Sequence, residues 1–216
     1  GGSGQFGEVH ITIEPYFDDM PEPQGVNIRN KEIEELPWGG KFAFYWCIVG
    51  GAIDNRYATA IKKGIMHEMT EGPLTGSNCQ NIRVCIYDGK MHAVDSNDIS
   101  FQLAASHAFK MAFNEAKPQL LEPYYHLEVL CEDNHTGDVM GDLQTRRAII
   151  QGMDTEGHYQ KIIAEVPLAE LKDYGSSLRS LTQGKAKFKL EFSNYQLVPS
   201  HIQESLVISN ASLTEV

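Results

Sequence analysis

No C-x-x-C pair occurs among the four cysteines, Cys47, Cys79, Cys85 and Cys131, and four in 216 residues are too few for a disulfide scaffold. They are expected to be reduced thiols filling a core. The eight histidines include no H-E-x-x-H pair that would set two ligands on one helix face, so no metal is expected. Neither G-x-x-x-x-G-K-[ST] nor G-x-S-x-G is present, which leaves no Walker-type phosphate cradle and no hydrolase elbow. Long apolar runs are lacking too: Phe42 to Ala52 is interrupted by glycines and falls well short of a bilayer span. With no basic n-region ahead of an apolar segment, secretion has no support, and a cytoplasmic protein without membrane contact is the expectation. Basic residues are scarce, 18 Lys and Arg against 29 Asp and Glu, for a net charge of −11. Phosphate neutralisation needs clustered cations, so general attraction to a nucleic-acid backbone cannot dominate binding.

What is present is ordinary globular material, 42% hydrophobic and 22% charged, in a length suited to one large domain or two small ones. The chain opens without methionine in Gly1-Gly2-Ser3-Gly4-Gln5-Phe6-Gly7, as expected of a piece cut from something longer. Residues 2–7 match G-x-G-x-x-G, but that fingerprint needs a strand before it and a helix after it. Here a strand follows, with Val9, Ile11 and Ile13 alternating. From Tyr16 to Leu36 the sequence is polar, acidic and proline-punctuated, and reads as a surface excursion. Lys41 to Val49 reads as a strand, and Arg56 to Thr70 as a helix stopped by Gly72-Pro73. Asn81 to Tyr87 alternates as a strand, with Asp88-Gly89 predicting a hairpin turn that projects His92 near its end. Asp95-Ser96-Asn97-Asp98 offers N-cap residues before a helix striped by Phe101, Ala105, Phe109 and Phe113.

Pro118 and Pro123 bracket a short connector, Lys117 to Pro123, which predicts a domain boundary. Beyond it the pattern predicts a strand over Tyr124 to Cys131, a helix over Gly137 to Ile150, a short strand near Ile149 to Asp154 and a strand over His158 to Val166. A largely helical Leu168 to Thr182 and an alternating Lys185 to Phe192 follow. The order βαββαβ is the ferredoxin-like split βαβ arrangement, so the fold class is α+β in two domains. The domains are expected at 1–117 and 118–199, with a tail at 200–216 whose end, Ser209 to Val216, reads as frayed. Ten basic residues face fifteen acidic ones up to Lys117, and eight face fourteen after it, so neither domain is basic.

The runs GGSGQFGEVHITIEP, GIMHEMTEGPLTG, YDGKMHAVDSND, LLEPYYHLEV, GDVMGDLQTRRAIIQGM and LRSLTQG, in this order, resemble the last two domains of translation elongation factor G. The resemblance covers about residues 1–199. It implies that 1–117 is an elongated, βαβ-type domain with a ribosomal-protein-like α/β fold. Its tip would enter the small-subunit decoding site and move with tRNA and mRNA during translocation. It implies that 118–199 is a ferredoxin-like domain facing large-subunit rRNA. The family's GTPase domain, with its GTP and Mg²⁺, falls outside these residues, so this piece is expected to be a monomer with no enzymatic activity and no cofactor of its own.

The site residues follow from this resemblance, beside what the residue types allow. A glycine-rich loop lets backbone amides approach RNA closely, and Gln5 both donates and accepts, so Gly4 and Gln5 are candidate RNA contacts. His92 matches the family's tip histidine and can stack on or hydrogen-bond to RNA. Asp95 and Ser96 share that motif, although capping the helix explains them equally well. Arg146 and Arg147 match paired arginines on the first helix of the last domain and are candidates to face rRNA; a solvated helix face or a salt bridge to Asp138 or Asp142 explains them equally well. Arg179 and Lys185 are candidates of the same kind. Tyr124 and Tyr125 could stack on bases, but strand alternation assigns at least one to a core.

Several features depart from the family pattern. Asp18 to Pro37 is longer and more acidic, Ser3 stands where an arginine is common, and Asp54-Asn55 replaces a proline-containing pair. They leave room for a divergent paralogue, for example in ribosome recycling, or for a ribosome protection protein that expels tetracycline. From a different class, a stand-alone RNA-binding protein is the alternative. An enzyme using Asp95, Asp98 and His92 lacks an accompanying nucleophile or metal set.

Overall fold

The computed structural model describes residues 4–214, so Ser3 of the glycine-rich run lies outside the described residues. The chain forms two compact units, one from the residues up to Pro118 together with those from Ser205, the other from Gln119–Glu204. Both are α+β, each built on a four-stranded sheet.

In the first unit the elements are β1 (Glu8–Pro15), β2 (Asn30–Glu35), β3 (Lys41–Trp46), α1 (Ala58–Thr70), β4 (Ile82–Lys90) and α2 (Asp98–Glu115). The sheet order is β1-β4-β3-β2; β3 and β4 run parallel, joined through α1, and the other pairs are antiparallel. The alternation of Val9, Ile11 and Ile13 places them on the helix side. They pack with Phe42, Phe44, Trp46, Val84 and Ile86 against Ile61, Ile65 and Met69 of α1 and Phe101, Ala105 and Phe109 of α2. Each fully buried Val, Ile, Phe or Met among them contributes about 1.5–3 kcal/mol. The opposite face carries Ala43, Tyr45, Cys47 and Cys85, covered by Tyr16, Val26 and Ile28.

That cover is the acidic stretch, and it is more ordered than a surface excursion. Arg83, 2% exposed, donates to Glu14 Oε1 at 2.7 and 2.9 Å and to the Pro21 carbonyl at 2.8 Å, with its guanidinium 5.4 Å from the centre of the Tyr45 ring. The stretch ends in a true strand, β2, which has no apolar alternation because it is an exposed edge. Its carboxylates Glu32 and Glu34 are instead tied to Lys62 of α1 at 2.7 and 3.0 Å. The hairpin expected at Asp88-Gly89 is also absent. β4 runs on to Lys90, with Asp88 opposite His10 and Gly89 opposite Val9. Gly89 is needed for space rather than for a turn, since a Cβ there would strike the Glu8 carbonyl and Ile53.

The second unit runs β5 (Leu121–Glu132), α3 (Thr136–Thr145), β6 (Ile149–Glu156), β7 (Tyr159–Pro167), α4 (Tyr174–Thr182) and β8 (Lys187–Leu197). All neighbours are antiparallel in the order β6-β7-β5-β8, the ferredoxin-like topology. Leu127, Val129, Ile162, Ala164 and Val166 meet Val139 and Leu143 of α3 and Tyr174 and Leu178 of α4. Pro123, expected in the connector, lies inside β5. It precedes Tyr124, where pairing with β7 begins, so the missing N–H costs no ladder bond on that side.

The first helix of this unit is shorter than its pattern suggests. α3 ends at Thr145 because Arg147 takes a left-handed conformation, φ 54°, and the Ala148 amide closes back on the Leu143 carbonyl. The tail, expected to fray over Ser209 to Val216, is helical as far as it is described: α5 spans Ser200–Thr214, and the last two residues lie outside the described residues. Its first turn is set by the Pro199 carbonyl, which accepts from the amides of Ile202 and Gln203.

Candidate functional site

The sequence candidates at the front of the chain meet at one end of the first unit, where residues 4–7 lie beside the loop after β4. The Gly4 amide donates to Asp95 Oδ1 at 2.7 Å, and the Phe6 amide to the Asp95 carbonyl at 2.9 Å. A Cβ on Gly4 would sit 3.2 Å from that carboxylate oxygen, and one on Gly7 would sit 2.9 Å from the Ser100 carbonyl, so the loop lies close against the start of α2. The Ser96 hydroxyl donates to the Phe6 carbonyl and accepts from the His92 amide, both at 2.8 Å. The Phe6 and His92 rings lie 4.5 Å apart with 33° between their planes. His92 Nδ1 is 3.5 Å from Asp95 Oδ2, and about half of the imidazole side chain remains exposed.

Asp95 and Ser96 are released for this work because neither caps the helix. Asn97 does so, accepting from the Ser100 amide at 2.9 Å while Ser100 Oγ accepts from the Asn97 amide at 3.0 Å, a reciprocal box. Gly4, Gln5, His92, Asp95 and Ser96 are therefore neighbours, with Gln5 and His92 presenting polar groups outward. Two participants carry no functional signal in the sequence. Phe6 is simply the one bulky residue in a glycine run. Tyr57, 4% exposed, donates its hydroxyl to the Ser96 carbonyl at 3.1 Å across 39 positions. It accepts in turn from Arg56 Nη2 at 2.9 Å.

The candidates of the second unit are dispersed differently. Arg146 and Arg147 stand just beyond α3, not on it, and both are engaged by this chain. Arg146 pairs with Asp142 at 2.8 Å, donates to the Glu170 carbonyl at 2.7 Å and lies 5.0 Å over the Tyr174 ring. Arg147 forks onto both oxygens of Glu122 at 2.7 and 3.0 Å and reaches Glu170 at 3.0 Å. The Glu122 hydrogen bonds hold its guanidinium protonated beyond the ordinary arginine range, against the desolvation that opposes it. Burial pushes the phenol of Tyr174 up, with Asp142 adding to it. Arg179 is exposed and, among the described residues, donates only to the Gly175 carbonyl of its own helix, while Lys185 sits 3.5 Å from Glu132 with half its side chain in solvent. Tyr124 is buried.

Among the described residues no group of three or more His, Cys, Asp or Glu could hold a metal, and no helix is long and apolar enough to cross a membrane. The molecule is thus a two-unit α+β protein whose chemistry lies in a loop-built polar end and a ferredoxin-like partner unit. A protein-family model described as elongation factor G, domain IV, matches residues 28–117, and one described as elongation factor G C-terminus matches 119–206. Over 207 residues, 96% of this chain, it is 40% identical to Elongation factor G of Thermotoga neapolitana and 41% identical to that of Aquifex pyrophilus. It is likewise 40% identical over 208 residues to a protein named Elongation factor G-like from Thermotoga maritima. A crystal structure of a Thermus thermophilus protein superposes with a TM-score of 0.71 at 34% identity, over 97% of this chain and 31% of that one. The chain belongs to the elongation factor G family and carries its domain IV and C-terminal domain. It spans 27% of the length of the Thermotoga neapolitana relative.

Proposed function

We propose that this chain is the ribosome-engaging module of an elongation factor G-like translational GTPase. In this reading the first unit enters the small-subunit decoding site and accompanies tRNA and mRNA during translocation, and the second faces large-subunit rRNA. The observation that carries it is the convergence of Gly4, Gln5 and His92 at one loop-built end, with exposed amide and imidazole groups of the kind that bases and 2′-hydroxyls require. Of the rRNA-facing candidates, Arg179 and Lys185 have the more available charge, whereas Arg146 and Arg147 spend theirs within the chain. GTP and Mg²⁺ belong to the parent's GTPase region, and the module works as a monomer in the cytoplasm with no catalysis of its own.

The test is a toeprinting time course with the intact factor, GTP consumption being followed in parallel to show that the factor is active. His92→Ala or Gln5→Ala should slow messenger movement by tenfold or more; unchanged movement overturns the tip assignment. A divergent paralogue is the second reading, motivated by the long acidic stretch from Asp18 to Pro37 and by Asp54-Asn55 in place of a proline-containing pair. Normal ribosome splitting with absent translocation by the full-length protein would select it. Growth on tetracycline would select ribosome protection instead.

A further inference from the structure

We infer that Ser96 is a positioning residue, a clasp that sets His92 against the glycine-rich loop and acts on RNA through His92 rather than by a contact of its own. The consequence for RNA rests on the function proposed above; the positioning does not. Three polar groups of Ser96 face the protein. Its hydroxyl proton goes to the Phe6 carbonyl and its hydroxyl oxygen takes the His92 amide proton, so one small group joins two segments some ninety residues apart. Its amide donates to the His92 carbonyl at 3.1 Å, which closes the turn on which His92 sits. Its carbonyl accepts from Tyr57, whose ring lies 4.6 Å from that of the fully buried Phe101. The clasp is thus anchored to the core.

The consequence for His92 is geometric. With Phe6 held by Ser96 and by the Asp95 carbonyl, its ring covers one face of the imidazole, and Asp95 faces Nδ1. Nε2 has no partner among the described residues and is left to meet a ligand. Fixing a side chain before binding removes the entropy cost of ordering it at the interface. Removing the hydroxyl takes one hydrogen bond from Phe6 and one from His92 together and loosens the ring contact between them.

The experiment has two arms. In the isolated chain, the His92 ring protons are assigned by comparison with His92→Gln, and the upfield displacement they owe to Phe6 is measured by NMR. Ser96→Ala should lose most of that displacement, and Ser96→Thr, which keeps the hydroxyl, should retain it. An unchanged displacement in Ser96→Ala overturns the clasp. In the intact factor, Ser96→Ala should slow messenger movement about as much as His92→Ala, and the double variant should be no slower than His92→Ala alone. Multiplying effects would mean that Ser96 meets RNA independently and would overturn the positioning role. If His92→Ala itself leaves movement unchanged, the proposed function fails, while the NMR arm still decides the clasp.

Discussion

Cys47 and Cys79 lie on opposite sides of the first unit's sheet, each 7% exposed or less. Burial pushes both thiols up to about 11, with Cys85 adding to the effect at Cys47 and Glu68 at Cys79. At pH 8 their thiolate fraction, and with it their alkylation by iodoacetamide, should be about a hundredfold below that of the same cysteines in urea. The linkage has a definite sign. A group whose folded pKa is raised stabilises fully below its unfolded value, and that contribution drains away as pH climbs from the ordinary thiol range through about 11. Urea midpoints should therefore fall across that window, and less steeply in Cys79→Ala; a flat midpoint would show these thiols reach solvent. Arg147 makes a second case. It is held in a conformation that costs a non-glycine residue about 1–2 kcal/mol, by a fork onto the buried Glu122. Arg147→Ala keeps the backbone penalty and strands that carboxylate, for an expected loss of about 3 kcal/mol. Arg147→Gly should lose about 1 kcal/mol less, and equal urea midpoints for the two would show that the backbone carries no penalty there.

Helix α1 shows how one element's sequence is governed by another. Gly64 lies mid-helix, where alanine would gain about 1 kcal/mol in propensity, yet a Cβ there would strike the Gln102 carbonyl of α2. Gly64→Ala should destabilise the first unit by about 1–3 kcal/mol, because the obstacle is backbone and the helices must part. A more stable variant by thermal melting would mean that the contact has slack. The same kind of tertiary control explains what the sequence discloses and what it hides. β1, α1, α2 and most of the second unit are legible because Val9, Ile11, Ile13, Phe101, Ala105 and Phe109 repeat at the period of their element. β2 is hidden because its side chains face water or Lys62 and no apolar period survives. Asp88-Gly89 misleads because its glycine answers a neighbour rather than a turn, and α3 overruns in prediction because the helical pattern continues past a left-handed Arg147. At the tip, Gly4, Gln5 and His92 carry signals of residue type. The Tyr57–Ser96 link is a long-range contact, which no local spacing encodes.

Charge is the property of the whole molecule that bears most on how it would meet RNA. With 18 cationic residues against 29 acidic ones, the chain starts repulsive toward phosphate. Its own folding then occupies many of those cations: Lys31, Lys62, Arg83, Arg146 and Arg147 each lie within 3.0 Å of a carboxylate. At the tip, Lys90 has no ion-pair partner among the described residues, and Arg56 has Asp54 only at 3.9 Å. Two phosphates are then the reach of this end, and each neutralised phosphate of a single strand contributes about −0.7 to the slope of log K against log salt. In titrations of the isolated chain onto single-stranded RNA by fluorescence anisotropy, between roughly 50 and 200 mM salt, replacing both Lys90 and Arg56 by Ala should make the slope shallower by no more than about 1.4. A larger change would reveal a cationic track and would make electrostatic capture the first step of engagement. A change within that bound leaves recognition to the shape of the tip and its hydrogen bonds, and recruitment to the rest of the parent factor.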